Sequence, residues 1–223
     1  MDWFPLYNSL RISFLASVII FFLGIFLAHY VARLPGMLKG MIDTILTIPL
    51  VLPPTVIGFL ILKLISPKST LGMLMEKYFQ TALTMKWYAA VIAVAVVSFP
   101  LMYRTARSSF EAFDKNVIAA GRTLCLSETY LFWKVLLPNC KAGISAGIIL
   151  AFARGLGEYG ATSMVAGYIV NRTATISTTV AYFWKTNQDE KALQWVLVNI
   201  MISLGVMLSV NIFEKRISFG KES

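Results

Sequence analysis

Long uncharged stretches alternate with short charged ones along this chain. Residues 12–32, 44–62, 87–103 and 192–213 run for 17 to 22 residues without Asp, Glu, Lys or Arg. At 1.5 Å per residue, about 20 residues cross the roughly 30 Å hydrocarbon layer of a bilayer, so each stretch predicts a spanning helix. Residues 142–170 are equally apolar apart from Arg154 and Glu158. The pattern predicts an all-α integral membrane protein of five spans, at about 12–32, 42–64, 85–104, 140–168 and 192–214. The whole chain, 1–223, reads as a single domain.

Two segments depart from a plain spanning pattern. In the second span Pro49, Pro53 and Pro54 fall within six positions, followed by Thr55. Each proline removes a backbone donor and clashes with the preceding turn, so this helix must bend or break. Broken backbone at membrane depth is tolerated inside protein or along a wet cavity. A packing kink and a pathway wall are equally compatible with that. Between the third and fourth spans lies the longest polar stretch, a loop over 105–139, in which Phe110, Phe113, Val117, Ala120, Gly121 and Leu124 recur at helical spacing. Ser127 can cap a following turn, Glu128 suits its positive end, and Pro138 punctuates the approach to the next span. Such an amphipathic helix either lies in the membrane interface or fits a groove on a soluble partner.

Composition agrees with the pattern. Of 223 residues, 57% are apolar and only 14% charged, against about 25% charged in a soluble domain. The formal charge of +9 therefore bears on membrane topology, and no nucleic-acid partner is expected. With five spans the termini lie on opposite sides. A cytoplasmic C-terminus puts eleven Lys and Arg inside and eight outside, with Arg154 within a span, the direction that the positive-inside rule favours. Trp3, Trp87, Trp184 and Trp195 then share the outer interface. No cleavable signal peptide is expected, because Asp2 lies in a start that lacks basic residues. Cys125 and Cys140 show no pairing or metal-binding pattern, and His29 has no evident partner.

Resemblance extends this reading. Ala119-Ala120-Gly121-Arg122-Thr123-Leu124-Cys125, nine residues, then Val135-Leu136-Leu137-Pro138 resembles the EAA loop of ABC importer permeases, whose pattern is E-A-A, three residues, G, nine residues, I-x-L-P. The spacing matches throughout, and Ala120, Leu137 and Pro138 match in identity; Ala119, Gly121 and Cys125 replace Glu, Ala and Gly, and Val135 replaces Ile. Phe152-Ala153-Arg154-Gly155-Leu156-Gly157-Glu158-Tyr159-Gly160-Ala161-Thr162, with Leu50 to Phe59 and Trp195 to Val198, is similar to molybdate permeases, with sulfate permeases as close relatives. The resemblance implies a type I ABC importer transmembrane domain whose coupling helix docks into an ATP-binding subunit. It further implies a permease homodimer, two such ATPases at the cytoplasmic face holding ATP and magnesium, and an external oxyanion-binding protein. The implied location is a bacterial or archaeal cytoplasmic membrane, multi-pass, with the N-terminus outside. The chain itself is then no enzyme and holds no cofactor or metal. Molybdate, tungstate and sulfate are all doubly charged tetrahedral oxyanions, which composition does not separate.

Inside the membrane, Arg154 and Glu158 are spaced i, i+4 and can pair on one helix face. A charge at mid-bilayer costs about 2.5–3.5 kcal/mol on insertion scales, so both should face the bundle interior or water. Either they form a structural ion pair, or they line the anion route with Pro53, Pro54, Thr55 and Thr162. Gly143, Gly147, Gly155, Gly157 and Gly160 allow close helix packing, and Asn199 and Ser203 should face protein. No G-x-x-x-x-G-K-[ST] run occurs, so nucleotide would be handled by another chain. A stand-alone secondary transporter would call for internal repeats or proton carriers, and an intramembrane enzyme for a catalytic constellation. The sequence has neither.

Overall fold

Pro5 opens the first helix, at a position where a missing N–H costs nothing. In the computed structural model, which describes residues 2–79 and 81–219, α1 runs over Phe4–Ala32. Its buried positions Ile12, Ser13, Ala16, Ser17, Ile20, Gly24 and Ala28 form a stripe of mainly small residues, while Phe14, Phe22 and Phe26 point outward. α5 (Trp87–Ala112) lies against that stripe with Ala89, Ala90, Ala93, Val94 and Val97 buried. Without a hydrophobic drive between helices in lipid, such small residues let backbones approach closely. A Cβ at Gly24 would stand 2.8 Å from Met102 Cγ. α8 (Lys141–Leu156) completes the core, meeting α5 through Gly147 and Gly155.

The proline-rich span is broken. α2 (Gly36–Thr47) passes through one tight turn at Ile48–Leu50, and α3 (Pro54–Ile65) leaves at 103° to it. The Pro53 carbonyl accepts the Val56 and Ile57 N–H groups, so two of the donors in the first turn of α3 are satisfied. α4 (Thr70–Phe79) follows. A second break divides the apolar stretch expected over 140–168, which is not one helix. α8 stops at Leu156 and α9 (Gly160–Val165) begins after three non-helical residues. α10 (Ile176–Lys185) and the long α11 (Asp189–Phe219) end the chain.

Among the described residues, Phe4–Ala32, Trp87–Ala112 and Asp189–Ser209 are each long and apolar enough to cross a membrane. Counting each sharply bent pair as one span raises the number to at most five.

The expected loop is also rearranged. α5 continues past Tyr103 to Ala112, so residues 105–112 belong to the long helix. The apolar stripe read as one amphipathic helix is therefore shared between two. Phe113 is extended, and Asp114 accepts the Asn116 N–H to start α6 (Lys115–Thr123). α7 (Glu128–Asn139) follows, capped by Ser127, whose hydroxyl accepts the Tyr130 N–H at 3.2 Å. Its winding widens over Leu131–Leu136. Pro138 explains this, since it has no N–H to return to the Lys134 carbonyl. α7 meets α8 at 71°.

At the opposite end from α6, Trp3 meets Trp195 edge-on with 6.3 Å between ring centroids, and the Arg11 guanidinium sits 3.5 Å over Trp87. Asn8 donates to the Ala174 carbonyl and Ser9 accepts the Ile176 N–H, which ties α1 to the segment before α10. In α11 the expected inward pair separates. Asn199 is half-buried and Ser203 is exposed.

Gly58 of α3 packs on α9 so tightly that a Cβ would lie 2.7 Å from Ala161 Cα. Gly58→Ala should lower stability by about 1–3 kcal/mol, the range for overpacking, in denaturation of the purified subunit. Gly40→Ala, with nothing within 4 Å of its added carbon, should not destabilise it.

Candidate functional site

Two places in the fold gather the functionally interesting residues, one at each end of α5. The first is α6. Ala119, Ala120, Arg122, Thr123, Leu124 and Cys125 are exposed on it, and Pro138 is exposed on α7. Val117 and Leu124 are 44% and 73% exposed, respectively, leaving an uncovered apolar surface. Gly121 alone is buried in this stretch. A Cβ there would come 2.4 Å from Leu131 Cδ2, so Gly121 is a contact point between α6 and α7 and not a flexible joint.

The end of α6 explains the cysteine where the family pattern has glycine. The Leu126 N–H donates to the Gly121 carbonyl and the Cys125 N–H to the Arg122 carbonyl, with Cys125 at φ +58°. These are the paired bonds of a Schellman stop, which wants glycine at that position. Cys125 takes the left-handed conformation itself, and the helix-end contacts persist without the glycine.

Glu128 fastens this element to the rest. Its carboxylate accepts from Arg122 Nε at 2.6 Å and pairs with Arg33 at 3.1 Å, joining α6, α7 and the end of α1. The hydrogen bond from Arg122, with the charges of Arg122 and Arg33, holds the Glu128 carboxyl below the usual carboxylate range against a desolvation cost. A lowered acid pKa means that the link holds at neutral pH and is lost only as the pH falls through that lowered value. A second group joins α2 to the extension of α5. Arg107 pairs with Asp43 and, at 3.0 Å, with Glu111, and Lys39 pairs with Glu111. Arg107 and Glu111 are i, i+4 on α5, but helical periodicity gave no sign that Asp43 and Lys39 join them, because those two lie on α2.

The second place is where the two broken spans meet. A Cβ at Gly160 would stand 3.0 Å from Pro54 Cβ and 3.1 Å from Thr55 N, so the start of α9 rests on the start of α3. Pro53 and Thr55 are exposed, Pro54 half-buried and Thr162 fully buried. Among the described residues the Thr162 hydroxyl has no hydrogen-bond partner. Glu158 is 3% exposed. One of its oxygens accepts the Ala161 N–H at 2.8 Å, and the other pairs with Arg154 at 2.7 Å. The pair forms although Glu158 lies beyond the end of α8, not on one continuous helix as its spacing implied.

Met85 donates to the Val165 carbonyl, which sets α9 beside the start of α5, a helix length from α6. The structure thus brings Pro54, Thr55, Arg154, Glu158 and Thr162 into one region and leaves the α6 residues in another. His29 packs edge-on against Phe132, 4.3 Å between centroids. No group of three or more metal-donor side chains occurs among the described residues.

The profile of the family described as "Binding-protein-dependent transport system inner membrane component" matches residues 20–219. The chain belongs to that family. Relatives of this permease carry informative names. The "Molybdenum transport system permease protein ModB" of Escherichia coli is 34% identical over 220 residues, covering 97% of this chain and 95% of that one. That of Haemophilus influenzae is 35% identical over 195 residues, covering 87% and 85%. The "Sulfate transport system permease protein CysT" of Salmonella typhimurium is 27% identical, covering 96% and 76%.

The permease fold is also that of a chain in the inward-facing MetNI methionine ABC transporter, with a TM-score of 0.71 at 15% identity covering 97% of both chains. A chain of a bacterial alginate ABC transporter gives 0.75 at 15% identity, covering 95% of this chain and 77% of that one.

Replacing Cys125 of the permease by glycine relieves a left-handed non-glycine residue, worth about 1 kcal/mol. Cys125→Gly should accordingly slow hydrogen–deuterium exchange of the α6 amides, with the rest of the protein unchanged.

Proposed function

We propose that this permease is the membrane-spanning subunit of an ATP-driven importer for molybdate, with tungstate as an equivalent cargo. The observation that carries the reading is the 34% identity to a molybdenum transport permease along nearly the whole of both chains. In this proposal two copies form the pathway, and two ATP-binding subunits, which hold ATP and magnesium, grip α6 from the cytoplasm. An external oxyanion-binding protein delivers the cargo. The N-terminus lies outside, so that the end bearing Trp3, Trp87 and Trp195 faces out and the α6 end faces in. The exposed Val117 and Leu124 support docking over an interfacial role, since they offer the spaced apolar anchors that a groove takes. Closure of the ATPases would shift α6, and the Glu128 links to Arg122 and Arg33 would pass that shift to α1.

At the other end, Arg154 supplies the positive charge that an oxyanion needs, and Glu158 neutralises it. The Arg154 side chain is 36% exposed whereas its partner is buried, so an arriving anion competes with Glu158 from the open side. The pathway in this reading includes Pro53, Pro54, Thr55 and Thr162 beside that pair. Glu158 then keeps the route from becoming a deep anion trap. Glu158→Gln retains an acceptor for the Ala161 N–H but removes the charge. It should leave folding intact, tighten apparent molybdate affinity and slow turnover; wild-type transport would reduce the pair to a structural role.

The decisive experiment reconstitutes the permease with its ATPase and binding protein in proteoliposomes. Molybdate should raise ATP hydrolysis and be taken up, whereas sulfate at equal concentration should do neither. Stimulation by sulfate alone would replace the reading with the sulfate permease that the 27% identical relative suggests. Uptake persisting without ATP or ATPase would favour a stand-alone transporter. Leu124→Asp should abolish ATPase docking in the same preparation.

A further inference from the structure

Beneath α6 lies a cavity of about 670 Å³ between the α1–α2 turn, the end of α5 and α7. Four cations line it, Arg33, Lys39, Lys115 and Arg122, against the single carboxylate of Glu111. Lys39 pairs with Glu111, and Arg33 and Arg122 share Glu128. Lys115 has no carboxylate partner among the described residues. The lining therefore carries more positive charge than its carboxylates answer.

The opposite wall is apolar. Phe110 and Leu136 belong to the buried core, and Phe113 and Ile118 pack against it. Beside Lys39 in the sequence, Met37, Leu38 and Met41 of α2 are exposed. A free hydrated anion would satisfy the cations and leave this apolar surface wet, whereas an amphiphilic anion covers both. The cavity is lined by the ends of α1 and α5, two helices long enough to span, and a spanning helix ends near the headgroup layer. Basic pockets between helices at a membrane face are the sites that take anionic headgroups.

We propose that this cavity binds the phosphate of an anionic phospholipid, with Lys39 and Lys115 as the principal contacts and the glycerol and upper acyl chain on Phe110 and Phe113. A lipid seated there would brace α6 against α1 and α5. The site does not depend on which solute is carried, and its test involves no transport.

The purified full-length chain would be titrated with phosphatidylglycerol and, separately, with phosphatidylcholine of the same acyl chains, with bound lipid counted by native mass spectrometry. Phosphatidylglycerol should bind in preference. Each cation removed should weaken it about fivefold, for Lys115→Gln alone and again for Lys39→Gln added to it. Lys115→Gln removes no ion pair and so guards against loss by misfolding. Lys185→Gln, on α10 at the other end, should change nothing. Unaltered phosphatidylglycerol binding in the double variant would overturn the site. Displacement of the lipid by millimolar inorganic phosphate would assign the cavity to a free anion instead and overturn the lipid. Expulsion of the lipid by an added ATPase subunit would make the cavity a protein seat, with the same consequence.

Discussion

Backbone that leaves a helix inside a bilayer finds its hydrogen-bond partners within the protein or not at all. That constraint organises the end of this permease where α5 begins. Two apolar stretches break their helices, one at Pro53 and one after Leu156, and the structure stacks them. The Pro53 carbonyl supplies the first turn of α3, and the Glu158 carboxylate supplies the Ala161 N–H of α9. Gly58 and Gly160 let the two restarted helices touch. A buried carboxylate needs compensation in turn, and Arg154 provides it. One residue, Glu158, thus satisfies a backbone donor and neutralises a membrane-embedded cation.

The other end of the molecule is organised by charge. α6 follows the end of α5 and makes its apolar contacts through Ile118, which packs against the core, and Gly121 on Leu131. Its position is set by Glu128, which takes Arg122 and Arg33 together, and by the turn at Phe113 and Asp114 that ends α5. Exposed ion pairs are individually weak, with a median worth of about 0–1 kcal/mol. The Lys39–Glu111–Arg107–Asp43 group holds the neighbouring α2 to α5 in the same manner. Between the two regions run α5 and α1, packed on each other through small residues.

Much of this was legible in the chain, for identifiable reasons. Spanning stretches follow from the cost of burying charge, which acts residue by residue, so uncharged runs mark α1, α5 and α11 directly. The prolines announced the break between α2 and α3 because a missing donor is a local property. The Ser127 cap was readable on the same ground. Motif spacing located α6 and the residues that it exposes. The break after Leu156 was not readable, since Gly157 to Tyr159 are compatible with a helix and only the contact with α3 makes stopping worthwhile. The division of the stripe at Phe113 was hidden because Phe110 belongs to the core of one helix while Val117 and Leu124 belong to the surface of another.

What the sequence determined unaided is therefore whatever depends on one residue and the medium around it: which stretches are apolar enough to span, where a proline or cap interrupts a helix, and which loop carries the EAA-like spacing. Only the tertiary structure decided which distant groups meet, namely Glu128 with two arginines, Gly58 with Ala161, and Pro54 with Gly160. The physical reason is that an ion pair or a close glycine contact has an energy only once two separate elements are brought within a few ångströms. No periodicity along one chain encodes that distance.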